Sequence, residues 1–224
     1  MSWVVDNLDL IWALTVDQLR QSITAIVAGF VLSVPLGWLA FRYTWLRGPV
    51  LTVIGLLYTI PSFALFALLA TLFGIFYLSE LNLVVALTIY AVAILTRSVT
   101  DGLASVDTTA RAAAVAVGFG TWRRFWTVDF PLAGPVVLAG LRVTAMSTIS
   151  LATVGALIGV DNLGYLFTNG FQRRITAEVL AGVIAVVVIA VLIDLLLMLA
   201  GRALMPWTRR TATAHRARPR AVTA

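Results

Sequence analysis

Uncharged stretches of about twenty or more residues alternate with short polar segments along this chain of 224 residues. A helix that crosses about 30 Å of hydrocarbon, rising 1.5 Å per residue, needs about 20 largely apolar residues. The pattern therefore predicts an all-α transmembrane fold with five core spans and an additional N-terminal segment. The spans are expected at about 21–41, 50–78, 81–104, 132–157 and 178–201.

The second stretch is longer than one crossing requires, and it contains Pro61 within the sequence YTIPSF. Proline removes a backbone donor and its ring clashes with the preceding turn of a helix. A kink or a broken helix is therefore predicted at this position.

The arginines predict how the chain is oriented. All sixteen positively charged residues are arginine, and assigning the loops to alternate sides places twelve on one side, three on the other and Arg142 inside a span. Because cytoplasmic loops collect positive charge, the side with twelve is expected to be cytoplasmic. This predicts an external N-terminal segment at 1–20, a cytoplasmic loop at 105–131, and a basic cytoplasmic tail at 207–224 near anionic membrane lipid.

Composition excludes several classes of function. Hydrophobic residues make up 61% and charged residues 12% of the chain, with a mean hydropathy of +0.99, as expected for a multi-pass membrane protein. There is no cysteine and a single histidine in the tail, so a metal or redox site is not expected. Without lysine there is no phosphate-binding loop. The net positive charge is accounted for by the arginines of the expected cytoplasmic loops, so no nucleic-acid partner is predicted.

The segment 110–134, ARAAAVAVGFGTWRRFWTVDFPLAG, interrupts this apolar pattern. Asp107 and the two threonines after it are candidate helix N-caps, an alanine-rich helix follows, and Gly118 suits a left-handed C-cap. A second short helix is expected from Thr121, with Pro131 in the first turn of the next span.

Three aromatic residues, Trp122, Phe125 and Trp126, fall on one face of that second helix. Two interpretations are open. The loop could be an amphipathic helix whose aromatic rings lie among the lipid headgroups. Alternatively, it could present a helix of small side chains, held by an aromatic base, to a cytoplasmic partner.

The residues of this loop carry a resemblance. Ala113, Ala114, Gly118 and the sequence VDFP at 128–131 are spaced as in the EAA loop of permeases of binding-protein-dependent ABC importers. The pattern of that loop is Glu-Ala-Ala, three residues, Gly, nine residues, Ile-x-Leu-Pro, and Ala112 stands where the family usually has the glutamate. Further segments, including YTIPSFALFALL at 58–69 and PVVLAGLRVTA at 135–145, are similar to permeases of osmoprotectant importers for glycine betaine, choline, carnitine or proline betaine.

The resemblance implies a type I ABC importer permease (MetI-like) fold in the bacterial cell membrane, with the N-terminus outside and the C-terminus in the cytoplasm. The chain would be a subunit without enzymatic activity or a cofactor of its own, because two partner ATPase subunits bind the ATP and Mg²⁺. A second permease, identical or homologous, and an extracytoplasmic binding protein are the other implied partners. The residues implied in coupling to the ATPase are Arg111, Ala112, Ala113, Ala114, Gly118, Arg123 and Pro131.

Two charged residues, Arg142 and Asp194, lie inside predicted spans, where each is costly unless it faces protein or water. Counted from the cytoplasmic ends, both lie at similar depth, which favours a structural ion pair over a proton relay. Candidates for lining a cation pathway are Tyr58, Pro61, Phe63, Phe66 and Tyr90, although aromatic residues in spans are mostly packing residues. Asn169, Arg173 and Arg174 are candidates for docking the binding protein, with two solvated arginines as the alternative.

The substrate class implied by the resemblance is a quaternary ammonium osmoprotectant; an amino acid such as methionine, or a thiohistidine betaine, is the alternative. A stand-alone secondary transporter is a second alternative, although the sequence lacks the acidic or histidine relay expected of one. A membrane-embedded enzyme is the weakest interpretation, because the ten acidic residues are scattered along the chain.

Overall fold

In a computed structural model, which describes residues 2–74 and 76–207, the chain is all-helical. The helices are α1 (Ser2–Asp6), α2 (Leu8–Arg42), α3 (Thr44–Thr59), α4 (Ser62–Phe73), α5 (Glu80–Ala104), α6 (Thr108–Ala116), α7 (Thr121–Arg124), α8 (Phe130–Ala152), α9 (Gly164–Gln172) and α10 (Thr176–Leu204). A π-helical turn, Phe125–Asp129, joins α7 to α8, and a 3-10 helix, Thr153–Ile158, follows α8. The predicted tail lies mostly outside the described residues.

Among the residues that the structure describes, four continuous helical segments are long and apolar enough to cross a membrane: α2, α5, the run Thr121–Ile158 and α10. The bent pair of α3 and α4 would make a fifth span. α2 is about 52 Å long at the usual helical rise, which exceeds the hydrocarbon thickness of about 30 Å. Most of the segment 1–20, expected to lie outside the first span, is therefore part of the same helix as that span.

The interruption predicted at Pro61 is present, and it divides the stretch 50–78 into two helices. α3 ends at Thr59, Ile60 and Pro61 have extended backbone angles, and α4 leaves at a bend of 107°. The proline ring disfavours the helical conformation in the residue before it, which explains why Ile60 is extended. Half of the predicted second span thus runs across the direction of α3.

α5 lies at the centre of the helix bundle and packs against both α2 and α8. Small residues mark both crossings. A Cβ atom added to Gly29 of α2 would lie 2.4 Å from Ala91 Cβ, and one added to Gly140 of α8 would lie 2.2 Å from Ser98 Oγ. Glycine at the crossings lets the helix backbones approach closely, as is common between membrane helices.

The short helices α6 and α7 lie at one end of this bundle, called here the loop end. Trp122 of α7 contacts Trp38 near the C-terminus of α2, and Arg111 of α6 lies over Phe41. At the far end, Arg20 of α2 donates a hydrogen bond of 2.7 Å to Glu80 at the start of α5.

Candidate coupling loop, pathway and intramembrane ion pair

The loop helix α6 is capped at both ends by residues next to it in the sequence. The Asp107 carboxylate accepts a hydrogen bond of 2.8 Å from the backbone N–H of Thr109. This bond, together with one from the threonine side chain, lowers the pKa of Asp107, so the cap is charged at neutral pH and is lost only as the pH falls through that lowered pKa. Gly118 has a φ of +89° and confirms the predicted left-handed cap. Phe119 N–H donates to Ala114 O and Gly118 N–H to Val115 O, the bonds of a Schellman motif.

α6 presents a nearly bare helix face at the loop end. Ala114 is buried, whereas Ala112, Ala113, Ala116 and Gly118 are exposed. Val117 is 78% exposed. α6 therefore presents small apolar side chains at its surface, outside the predicted spans.

Arg111, expected among the contacts of the ATPase, points into the bundle instead. Its Nε donates a hydrogen bond of 2.8 Å to the Asp129 carboxylate, its Nη2 donates to Leu103 O, and its guanidinium lies 4.6 Å from the centre of the Phe41 ring. Arg123, by contrast, is exposed and lies over Phe119. Arg111 and Arg123, both implied by the resemblance in coupling to the ATPase, therefore have different surroundings: the first is turned inward and the second is exposed.

Pro131 lies in the first turn of α8, as predicted, but α8 does not begin as a separate helix. α7, the π-helical turn and α8 form one continuous run, with the proline near the start of α8. A proline ring clashes with the carbonyl group one turn before it, and a widened π turn relieves such crowding in an unbroken helix. The predicted second helix of the loop is therefore the beginning of the span itself.

The predicted aromatic face packs on α2. Trp122 and Phe125 both make edge contacts with Trp38, at 6.5 and 6.2 Å between ring centres. Phe125 is buried, whereas Trp122 is 66% and Trp126 48% exposed. These rings and Phe130 border a groove of about 510 Å³ along α2.

The structure divides the candidate pathway residues into two groups. Phe66 and Tyr90 are buried in the core, at 1% and 4% exposure, whereas Tyr58 and Phe63 are half exposed on either side of the break at Pro61. The Tyr90 hydroxyl donates a hydrogen bond of 2.5 Å to Ile60 O. Tyr90 therefore supports the unwound backbone between α3 and α4.

Arg142 of α8 and Asp194 of α10 lie in direct contact. Arg142 Nε and Nη2 donate to the two carboxylate oxygens at 2.6 and 2.7 Å. The two-pronged geometry is the strong form of this interaction, and each charge balances the other at membrane depth. The pair therefore joins the fourth predicted span to the fifth.

Reversing either charge alone, by Arg142→Asp or Asp194→Arg, is expected to lower the amount of folded protein in the membrane, because it leaves two like charges in contact. Reversing both should restore most of that amount. The amount of folded protein is measured by size-exclusion chromatography of a fluorescent fusion. The same exchange at the exposed pair of Arg47 and Asp101, 3.4 Å apart, is the control and should change little. Failure of the double variant to recover would contradict a stabilising contact.

The residues proposed from the sequence for docking lie at the end of α9 and in the turn that follows it. Asn169 Nδ2 donates a hydrogen bond of 2.7 Å to Glu178 Oε1, which joins α9 to α10. Arg173 and Arg174 are exposed at the turn between these helices, where Arg174 has a φ of +57°. The two arginines are exposed, whereas Asn169 is half-buried.

Several buried polar residues were missed from the sequence. Gln18 Nε2 donates to Ile149 O at 2.7 Å, and Gln21 Nε2 to Asp161 O at 3.0 Å. Asn162 donates to Ala152 O and accepts from Gly164 N–H. The signal available for them in the sequence was the presence of glutamine and asparagine within largely apolar stretches. Asp129 is 3% exposed and lies between two arginines. In the sequence it is noticeable only as part of the VDFP motif.

Comparison with known proteins identifies the family. Residues 29–210 match the profile of the family described as binding-protein-dependent transport system inner membrane component. The chain is 32% identical to the osmoprotectant import permease protein OsmW of Salmonella typhimurium, over 87% of this chain and 92% of that protein. It is 28% identical to the glycine betaine/carnitine/choline transport system permease protein OpuCB of Bacillus subtilis, over 86% and 87%.

Two further comparisons extend this picture. The chain is 34% identical to the ergothioneine transport permease/ergothioneine binding protein EgtU of Helicobacter pylori, over 73% of this chain and 29% of that longer protein. Its fold is similar to that of a chain in an inward-facing MetNI methionine ABC transporter, with a TM-score of 0.81, 19% identity and coverage of 89% and 98%. This all-helical chain belongs to the family of inner membrane components of binding-protein-dependent transport systems, whose members are transport permeases.

Proposed function

We propose that this permease carries a small quaternary ammonium osmoprotectant, driven by two ATPase subunits that bind its loop end. The exposed small-residue face of α6 carries the proposal. Short side chains let the backbone of a helix approach a partner closely, and Ala112, Ala113 and Ala116 provide such a surface. The chain supplies no lysine for a phosphate-binding loop, so the hydrolysis of ATP belongs to partners.

The break between α3 and α4 supports a pathway beside it. Unwound backbone at membrane depth is tolerated only where it is buried in protein or borders a water-filled cavity. Tyr58 and Phe63 flank the break and are 51% and 50% exposed. Their ring faces attract a trimethylammonium group by the cation–π interaction, and the C-terminal end of α3 adds negative partial charge. A second permease would close the other side of this path.

The relatives favour the substrate class. Two of them are named for osmoprotectants and for glycine betaine, carnitine and choline, and a third for ergothioneine. We propose that the binding protein docks at the far end, where Arg173 and Arg174 are exposed. This requires the N-terminus outside and the loop end in the cytoplasm, as the distribution of arginines favours.

Reconstitution into liposomes tests the proposal. The chain is expected to co-purify with an ATPase subunit expressed with it. Proteoliposomes that contain both subunits should take up radiolabelled choline or glycine betaine only when ATP and the binding protein are supplied. Methionine is the control substrate. An ATPase subunit whose phosphate-binding lysine is replaced is the control for energy coupling.

The alternatives give distinct results. Uptake driven by an ion gradient without ATP would instead support a secondary transporter. Uptake of methionine but of no quaternary ammonium compound would contradict the substrate class while leaving the ATP-driven mechanism in place.

A further inference from the structure

We propose that Asp129 is a positioning residue for coupling: it fixes the loop helix α6 to three membrane helices, so that movement of α6 reaches all of them. This inference rests on the proposed contact between α6 and an ATPase subunit. The carboxylate of Asp129 accepts hydrogen bonds from Arg111 Nε at 2.8 Å and Arg124 Nε at 3.1 Å. One acidic group thus joins α6, α7 and the start of α8.

Arg111 extends the connection to two more helices. Its Nη2 donates to the carbonyl oxygen of Leu103, in the last turn of α5. Its guanidinium also lies over the ring of Phe41, in the last turn of α2. One side chain of α6 therefore contacts α2, α5 and the entry to α8 at once.

α6 has little other attachment to the bundle. Ala114 is its only buried residue, and short connections lead into and out of the helix. Apolar packing alone therefore leaves the angle of α6 weakly determined, because each buried methyl group contributes little. The ion cluster supplies the directional contacts that fix this angle.

The burial of the cluster makes it rigid. The side chains of Asp129, Arg111 and Arg124 are 5%, 17% and 21% exposed. A buried carboxylate with two guanidinium partners holds its geometry, because without the carboxylate the two positive charges would face each other unpaired in a poorly solvated place. The cluster moves as a unit when α6 moves.

The position of Asp129 within the span determines what such movement does. It is the last residue of the π-helical turn, directly before the first residue of α8. A π turn is a frequent point of adjustment in a helix. A displacement of α6 is therefore applied to α8 at the place where the helix yields most readily. In this chain the charged residue Arg111 faces the membrane helices. The next position, where the family usually has a glutamate, is Ala112.

Asp129→Asn tests the proposal in the complex reconstituted with its ATPase and binding protein. Asparagine keeps the size of the side chain but removes the charge that holds both arginines. We expect assembly with the ATPase to be retained, while stimulation of ATP hydrolysis by the loaded binding protein falls by about 2- to 30-fold, the range for substitutions within coupling networks. Substrate transported per ATP hydrolysed should fall with it. Asp101→Asn, which removes an exposed pair beside the loop, is the matched control and should leave both quantities unchanged.

A second measurement keeps the test decisive if Asp129→Asn is poorly folded. Arg111→Lys retains the positive charge but cannot reach Asp129, Leu103 and Phe41 together. The chain has no cysteine, so spin labels can be attached specifically at Val115→Cys and Leu132→Cys. The distance between the two labels reports how α6 is placed relative to α8. Arg111→Lys is expected to broaden the distance distribution relative to the doubly labelled parent and to lower the transport ratio.

The outcomes separate this proposal from the function on which it rests. A wild-type complex without ATP-driven uptake would remove the proposed function itself. If the wild type transports and both variants keep its transport ratio and label distance, the ion cluster does not position α6 and the proposal is wrong. Loss of ATPase binding in a folded Asp129→Asn variant would also overturn it, because the residue would then act on docking rather than on transmission.

Discussion

Replacing Gly118 with tryptophan is expected to abolish ATP-driven transport while the protein remains inserted in the membrane. Gly118 has a φ of +89°, which costs an L-residue about 1–2 kcal/mol. A Cβ atom built there has no neighbour within 4 Å. The bulk of the indole is therefore accommodated within this chain, but it projects beside the exposed end of α6, where the ATPase is proposed to dock.

Gly118→Ala is the matched control for this substitution. It imposes the same backbone conformation on a residue with a side chain, but it adds only a methyl group to the surface. We expect Gly118→Ala to keep a substantial part of the transport rate and Gly118→Trp to lose it, measured together with co-purification of the ATPase subunit. Normal transport by the tryptophan variant would remove the docking role of this end of α6.

Gly140→Leu is expected to destabilise the bundle strongly, because it acts at a close crossing of α5 and α8. The added Cβ would lie 2.2 Å from Ser98 Oγ and 2.3 Å from Ser98 Cβ. Overpacking usually costs about 1–3 kcal/mol, and here the side chain meets a rigid helix, so the two helices must separate. The amount of monodisperse protein and its thermal midpoint in detergent should both fall.

Gly55→Leu provides the comparison for the second variant. Gly55 lies in α3 with no atom within 4 Å of an added Cβ, so the same substitution there should be tolerated. In addition, Ser98→Gly is expected to rescue Gly140→Ala, because it removes the atoms that the new methyl group meets. Equal thermal midpoints for Gly140→Leu and Gly55→Leu would show that the crossing is not closely packed in solution.

Local physical chemistry explains why part of the loop was predictable. The Asp107 cap and the Gly118 turn depend on neighbouring residues, and glycine is the residue that adopts a left-handed cap at the lowest cost. The break at Pro61 depends on the proline ring and the residue before it. These features were read from short stretches of sequence and are present in the structure.

Side-chain direction was not predictable in the same way. Arg111 was assigned to the partner surface by its position in a motif, yet it turns toward Asp129, Leu103 and Phe41. The three partners come from separate segments that meet only after the bundle forms. Similarly, Asn169 was proposed for the surface but bonds to Glu178 across the turn between α9 and α10.

The sequence by itself determined the membrane-spanning character, the family resemblance and the local turns, because hydropathy, motif spacing and backbone preferences are properties of neighbouring residues. Only the tertiary structure decided that Phe66 and Tyr90 are core residues while Tyr58 and Phe63 are half exposed. It also placed α7 and α8 in one continuous helical run and gathered Arg111 and Arg124 on Asp129. The physical reason is that burial and ion pairing depend on which helices meet in space, and that is set by the packing of the whole bundle.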